Sequence, residues 1–180
     1  MHQPEQILGF WFEEITPSQH WKKDPDFDRE LEQRFARLHS SASAGELYGW
    51  RDTPAGRLAE IIVLDQFSRN IHRDTPEAFA QDGMAVALAQ EAMRAGADVT
   101  LPATQRTFLY MPFMHSESLR IHELAVDCFT SNGIEDNLEF ELRHKRIIER
   151  FGRYPHRNDI LGRTSTAEEL EFLQQPGSSF

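Results

Sequence analysis

Three features of the 180-residue sequence predict an all-α protein of seven to eight antiparallel helices. Prolines follow residues that cap helix N-termini, as Pro25 follows Asp24. Apolar residues recur every three or four positions, as at Phe27, Leu31 and Phe35. No run of four or more residues alternates between apolar and polar side chains as a strand does. Short connections between such helices favour antiparallel neighbours.

Each predicted helix has a start or stop signal in its local sequence. Prolines and capping residues open the segments, and glycines such as Gly45 close them. These signals predict helices that begin near Pro4 and Pro25, and further helices over residues 54–70, 76–95, 104–114, 116–131, 135–151 and 166–174. Pro112 is expected to kink or end its helix, and Ser165 with Glu168 has the spacing of a capping box.

Length and charge set the domain organisation and exclude several classes of partner. The chain is long enough for one helical domain, predicted over residues 1–174, with residues 175–180 as a flexible tail. A net charge of −10 argues against binding to nucleic acid or to an acidic membrane surface. The longest hydrophobic run has six residues, so no membrane span is predicted. A single cysteine, Cys128, excludes an internal disulfide and fits a reducing cytoplasm.

The first of three polar clusters is the segment DQFSRN at residues 65–70. On a helix, Asp65 and Arg69 are four residues apart and can pair, and so can Gln66 and Asn70. One interpretation is a polar row in a pocket, in which Arg69 binds a carboxylate or phosphate. The other is a structural ion pair near the end of a helix.

The second cluster directly follows the predicted break at Pro112. His115 and Glu117 beside such a break are suited to act as general acid and base. Helix capping also explains the cluster, because Ser116 is a natural N-cap for the next helix.

The third cluster lies between Arg143 and Arg163, where seven basic and two acidic residues give a local charge of +5. Gly152 and Pro155 interrupt helical structure, so an irregular basic loop is predicted. Such a loop either binds an anion or is held by acidic residues elsewhere in the chain, as a structural clasp. Its charge is expected to lower the pKa of His144, keeping the ring neutral near pH 7. The same charge is expected to lower the pKa of His156. The other polar residues of this cluster are Arg153, Arg157, Asn158 and Arg163.

The sequence predicts no metal and no cofactor. Glu141 and His144 form a single E-x-x-H, whereas a di-iron bundle needs a second one and two further glutamates. Glycine-rich loops that bind nucleotides are absent from the sequence.

These motifs resemble the bacterial domain of unknown function 924 family. The specific segments are DQFSRN at 65–70, YMPFMHSE at 110–117 and RFGRYPHRNDILGR at 150–163, and the resemblance covers nearly the whole chain. It implies an all-helical fold similar to tetratricopeptide-repeat proteins, and it supplies no catalytic residues. Two positions depart from the family pattern, since proline is usual at Ser68 and glutamine is frequent at His122.

The leading functional hypothesis is a cytoplasmic helical-repeat-like protein that binds a peptide or a small anionic ligand. The predicted ligand-binding residues are Asp65, Gln66, Arg69, Asn70, His115, Glu117, His144, Arg153, His156, Arg157, Asn158 and Arg163. One alternative is a hydrolase or transferase that acts on an anionic substrate through His and Glu acid–base chemistry. Another is that the polar motifs are purely structural. The sequence leaves the ligand and the oligomeric state open, and it leans against catalysis without excluding it.

Overall fold

A computed structural model describes residues 2–180, and these residues form helices and turns without any strand. The α-helices are α1 Pro4–Gly9, α2 Pro25–Ser43, α3 Pro54–Ile62, α4 Ser68–Ile71, α5 Asp82–Arg94, α6 Ala97–Thr100, α7 Ala103–His115, α8 Leu119–Asn132, α9 Glu135–Phe151 and α10 Ala167–Phe172. The predicted all-α class is confirmed. The helices outnumber the predicted seven to eight because short segments such as α4 and α6, of four residues each, count separately.

Short turns of other helical types link these elements. The 3-10 turns are Pro17–His20, Tyr48–Asp52, Pro76–Phe79 and Pro155–Arg157, and the π turns are Phe10–Glu14 and Val63–Phe67. The second π turn joins α3 to α4 without a break in the helical path. Helix α8 packs against both α7 and α9. The similarity of the helix arrangement to tetratricopeptide repeats stays a prediction.

Two helix starts predicted from capping chemistry, those of α2 and α3, are confirmed. The carboxylate of Asp24 accepts hydrogen bonds from the amides of Asp26 and Phe27 at the start of α2. The hydroxyl of Thr53 accepts one from the Gly56 amide at the start of α3. Each cap satisfies donors that have no partner within the helix.

Two predicted helix starts are wrong. Helix α8 begins at Leu119 with Ser118 as its N-cap, not with Ser116. Residues 76–95 do not form one helix, because Pro76–Phe79 is a 3-10 turn and α5 begins only at Asp82.

The helix predicted over residues 104–114 is observed as α7, and of the two effects expected of Pro112, a kink or an end, the end is wrong because α7 continues to His115. Every residue of α7 from Thr107 to Met114 is buried, so tertiary packing outweighs the hydrogen bond that the proline removes.

The capping box of the last helix lies one residue later than predicted. Thr166, not Ser165, is the N-cap of α10, and Glu169, not Glu168, is its partner. The Glu169 carboxylate also accepts two hydrogen bonds from Arg153, on the loop before the helix. By local sequence alone, Ser165 with Glu168 would form an equally good capping box. The ion pair with Arg153 favours the box formed by Thr166 and Glu169.

The core consists of one large apolar cluster and a small second one. The large cluster takes side chains from α1, α2, α3, α5, α7 and α8. The small cluster contains Ile147, Ile148 and Tyr154, packed against Phe151 and Phe172. The polar residues described below lie where the segment after α9 meets the large cluster.

The end of the chain contacts this second cluster. The ring centroid of Phe180 lies 3.8 Å from that of His144 and 5.3 Å from that of Tyr154. The single domain over residues 1–174 and the flexibility of residues 175–180 stay predictions. Within residues 2–180, no helix combines the length and the apolar character needed to cross a lipid bilayer.

Gly56 is expected to tolerate no side chain, because a Cβ atom there would lie 1.9 Å from the carbonyl oxygen of Trp50. We expect Gly56→Ala to lower the free energy of unfolding by about 1–3 kcal/mol, since backbone must shift. Gly9 has open space around its Cα and lies in helical conformation. Gly9→Ala should therefore raise the free energy by about 0.5–1 kcal/mol. Urea denaturation measures both, and equal stability of the two variants would contradict this account.

Candidate functional site

Asp65 is the most buried charge of the candidate site, with no exposed surface. The π turn Val63–Phe67 carries it into the core. Its carboxylate accepts hydrogen bonds from His115 Nδ1 at 2.7 Å and from Gln66 Nε2 at 2.6 Å, and it pairs with Arg69 at 3.0 Å. Burial alone would raise the pKa of Asp65, but these three partners hold it below its ordinary value. Asp65 is therefore a carboxylate at neutral pH.

Arg69 connects Asp65 to the start of α5. Its Nη1 and Nη2 atoms donate to the two carboxylate oxygens of Asp82, at 2.8 and 3.0 Å. The predicted pairing of Asp65 with Arg69 is confirmed. The predicted pairing of Gln66 with Asn70 is wrong, because Gln66 turns to Asp65 and Asn70 donates to Asp28 on α2. Each amide donates to a carboxylate instead, and a hydrogen bond to a charged acceptor is stronger than one between two amides.

His115 is the last residue of α7, and its ring has one bound and one free nitrogen. Nδ1 donates to Asp65, whereas Nε2 has no hydrogen-bond partner among residues 2–180. Burial, followed by the positive charge of Arg69, lowers the pKa of His115 below its ordinary value. The ring is therefore neutral near pH 7, with its lone pair on Nε2.

Arg157 reaches this group from the loop after α9 and is only 4% exposed. Its guanidinium carbon lies 4.6 Å from the ring centroids of both Phe79 and Tyr154. Nη2 donates to the His115 carbonyl at 2.9 Å and Nη1 to Asp82 at 3.3 Å, while the buried Nε has no partner. Burial and the neighbouring Arg69 lower the pKa of Arg157 to about 10, so it remains charged at neutral pH.

A cavity of about 390 Å³ opens beside these groups, and we call it the Arg157 cavity. It lies between the 3-10 turn that precedes α5, the turn that follows α7, and the loop that carries Arg157. Its lining residues are Pro76, Phe79, Ala80, Asp82, Gly83, Val86, His115, Ser116, Glu117, Arg157 and Leu161.

Glu117 belongs to the cavity wall but is already paired with Arg163. The Arg163 guanidinium donates two hydrogen bonds to this carboxylate, at 2.7 and 2.9 Å, and the Tyr154 amide donates a third at 2.7 Å. Burial opposes ionisation, but Arg163 and the amide hold the pKa of Glu117 below its ordinary value. Arg163 Nε also donates to Asn158, which fixes the loop.

The remaining predicted residues lie outside the cavity wall. Arg153 donates two hydrogen bonds to Glu169, at 2.7 and 2.8 Å. His144 and His156 pack around Tyr154 in the second apolar cluster. Their pKa values are lowered to about 3, mainly by burial, so they are neutral as predicted but not chiefly because of neighbouring arginines.

The structure thus groups five of the twelve predicted residues around one point. His115, Glu117 and Arg157 line the cavity, and Asp65 and Arg69 support them from behind. Their assignment as ligand contacts stays a prediction. Sequence reasoning missed Asp82 and Phe79, which lie 75 and 78 positions before Arg157 in the chain. No spacing signal in the sequence connects residues so far apart.

The described part of the chain, residues 2–180, contains no cluster of three or more His, Cys, Asp or Glu side chains arranged to hold a metal ion.

The pair of Arg153 and Glu169 should stabilise the fold in a pH-dependent way. Its hydrogen bonds lower the pKa of Glu169 from 4.5 to about 2. The stabilisation is complete at pH values above the pKa that Glu169 has in the unfolded chain, and it is lost as the pH falls from about 4.5 towards 2. We expect Glu169→Gln to lower the melting temperature at pH 7. The melting temperature of this variant should also change less between pH 7 and pH 3 than that of the wild type.

Glu168→Gln is the matched control, because Glu168 pairs with Arg150 while both side chains are about half exposed. Removing an exposed pair changes the free energy of unfolding by about 0–1 kcal/mol. We expect a larger loss for Glu169→Gln, because the Glu169 side chain is 3% exposed. Scanning calorimetry at both pH values compares the two variants. An equal effect of both would disprove the assignment.

Comparison with known proteins identifies the family. The model of a family described as "Bacterial protein of unknown function (DUF924)" matches residues 7–177. A solved structure of the protein of unknown function ATU0120 from Agrobacterium tumefaciens is similar, with 37% identity and a TM-score of 0.91. The similarity covers 95% of this chain and 96% of that one. No curated protein matches the sequence. The chain therefore belongs to the DUF924 family of bacterial proteins of unknown function.

Proposed function

We propose that the protein binds a small anionic ligand in the Arg157 cavity, with Arg157 as the contact for the negative charge. The observation that carries this proposal is the incomplete pairing of a buried guanidinium. A guanidinium has five N–H groups, and those of Arg157 make only two hydrogen bonds within residues 2–180. Nε is fully buried, so the second hydrogens of Nη1 and Nη2 are the groups left for a ligand. Incompletely paired buried charges are costly, so an anion that binds these hydrogens would stabilise this arginine.

The neighbouring arginines are less suited to bind an anion, because their guanidinium groups are already paired. Arg69 and Arg163 each make two hydrogen bonds to one carboxylate, Asp82 and Glu117 respectively. Arg157 shares Asp82 through one long contact of 3.3 Å. The Arg157 guanidinium also lies at cation–π distance, 4.6 Å, from the ring centroids of Phe79 and Tyr154.

The size of the cavity favours a small ligand over a peptide. Its volume of about 390 Å³ lies near the lower end of the range for small-molecule sites, roughly 300–1,000 Å³. Its lining combines apolar side chains such as Phe79, Val86 and Leu161 with a few polar groups, a common pattern in such sites. We place the protein in the cytoplasm, because its one cysteine, Cys128, is a buried free thiol.

A second candidate is that the basic loop acts only as a structural clasp. Arg153 donates two hydrogen bonds to Glu169, and Arg163 donates two to Glu117. These contacts favour a structural role for Arg153 and Arg163. If the whole loop is a clasp, Arg157 would contribute to stability alone.

The binding proposal predicts that inorganic phosphate or glutarate stabilises the wild type and not Arg157→Gln. An anion at ten times its Kd adds about 1.4 kcal/mol to the free energy of unfolding. In a chain of this length, that corresponds to a rise of roughly 3–6 °C in melting temperature. Thermal-shift titration and calorimetry measure the rise and the Kd.

Arg153→Gln is the control, because Arg153 lies on the same loop but not in the cavity wall. It should lower the baseline melting temperature and keep the ligand-induced rise. If both anions leave the wild type unchanged, the clasp is favoured and the binding proposal fails. An undiminished rise in Arg157→Gln would also refute it.

A further inference from the structure

The molecule contains two buried pairs of histidine and carboxylate with the same geometry. His115 Nδ1 lies 2.7 Å from Asp65 Oδ1, and His122 Nδ1 lies 2.7 Å from Glu141 Oε1. The second ring nitrogen distinguishes them. His122 Nε2 donates to the Ser116 carbonyl at 2.8 Å, and this side chain is fully buried. The His115 side chain is 14% exposed and lines the Arg157 cavity.

The His115 pair has the features of a positioned base. Because Nδ1 donates to Asp65, the neutral ring carries its lone pair on Nε2, the nitrogen without a protein partner. Asp65 in turn is held by Gln66 and Arg69, so the ring has a fixed tautomer and orientation. A histidine oriented by a carboxylate on one nitrogen and free on the other is suited to general acid–base catalysis.

We propose that the Arg157 cavity is a catalytic site that hydrolyses a small ester carrying a carboxylate, with His115 Nε2 as the general base. The inference rests on the proposed function, because Arg157 would hold the carboxylate of the substrate. Water is the nucleophile, since within residues 2–180 no hydroxyl or thiol makes a hydrogen bond to His115 Nε2. The neighbouring Ser116 hydroxyl instead accepts a hydrogen bond from the Ser118 amide.

The step balances without any further reactant. His115 Nε2 takes a proton from water while the water oxygen bonds to the ester carbonyl carbon, and the carbonyl π electrons move to its oxygen. When those electrons return, the bond to the leaving oxygen breaks, and that oxygen takes the proton from His115. Ester and water become acid and alcohol, and the ring is neutral again. Asp65 stabilises the transient imidazolium as a positioning residue.

The test uses mono-para-nitrophenyl glutarate, which carries a carboxylate, and para-nitrophenyl pentanoate, which has the same chain length without one. The glutarate ester also releases nitrophenolate spontaneously, because its own carboxylate attacks the ester carbonyl. The rate without protein is therefore subtracted for each ester, and we expect the protein-dependent rate to be higher for the glutarate ester. His115→Gln should lower kcat for that ester by about 10²–10⁴-fold, the usual contribution of a general base. His72→Gln, a histidine outside the cavity lining, should keep the wild-type rate.

Asp65→Asn separates positioning from structure. It should lower kcat by about 10-fold or more with KM nearly unchanged, because Arg157 still holds the substrate. If Asp65 serves only the fold, the variant loses melting temperature while the folded fraction keeps the wild-type kcat. That result would remove Asp65 from the mechanism.

Binding of glutarate, followed by calorimetry, distinguishes failure of catalysis from failure of binding. Wild-type protein that binds glutarate but does not hydrolyse the ester would overturn the catalytic proposal and leave the binding proposal standing. Absence of glutarate and phosphate binding would overturn the binding proposal itself. Hydrolysis by His115→Gln at the wild-type rate would exclude His115 as the base.

A second measurement serves if His115→Gln does not fold. Diethyl pyrocarbonate acylates accessible neutral imidazole nitrogens, and peptide mapping locates the modified residue. We expect modification of His115 but not of the sealed His122, loss of ester hydrolysis in parallel, and protection by glutarate. Full activity after complete modification of His115 would refute the proposal.

Discussion

The structure depends on the mutual neutralisation of charges that are largely removed from water. Asp82 accepts hydrogen bonds from Arg69, which lies on α4, and from Arg157, which lies on the loop after α9. Arg69 also neutralises Asp65, which has no exposed surface. A buried charge without its partner is strongly destabilising, so these contacts fix the loop against the core. The position of the Arg157 cavity follows from that constraint.

The same need for charge neutralisation divides the arginines of residues 143–163 into those that hold the fold together and one that could bind a ligand. Where a guanidinium has a carboxylate to itself, as Arg163 has Glu117, its capacity for hydrogen bonds is used in holding the loop. Arg157 is buried but incompletely paired, and it lies beside a histidine whose Nε2 is free. The local charge of +5 therefore does not describe a uniform anion-binding surface. Most of it is compensated by ion pairs within the fold. Arg157 shares its carboxylate, Asp82, with Arg69 and keeps a buried Nε without a partner, and the proposed function rests on this incomplete pairing.

Local chemistry predicted the helices well and their limits less well. Asp24 and Thr53 cap helices as expected because a cap needs only neighbours within a few residues. The last capping box lies one residue later because Glu169 also binds Arg153, a contact that no local pattern contains. Pro112 fails to end α7 because that segment is buried, and burial outweighs one lost hydrogen bond.

The sequence by itself determined the all-α class, helix starts such as those at Pro25 and Pro54, and the three segments in which polar chemistry is concentrated. It determined these because capping, periodicity and charge are properties of neighbouring residues. Only the tertiary structure decided that Asp65 meets His115, 50 positions away, and that Asp82 meets Arg157, 75 positions away. Such contacts arise from how helices pack, and nothing in their sequence spacing encodes them. The same packing places the His115 side chain in the wall of a cavity and fully buries that of His122, although both histidines pair with a carboxylate.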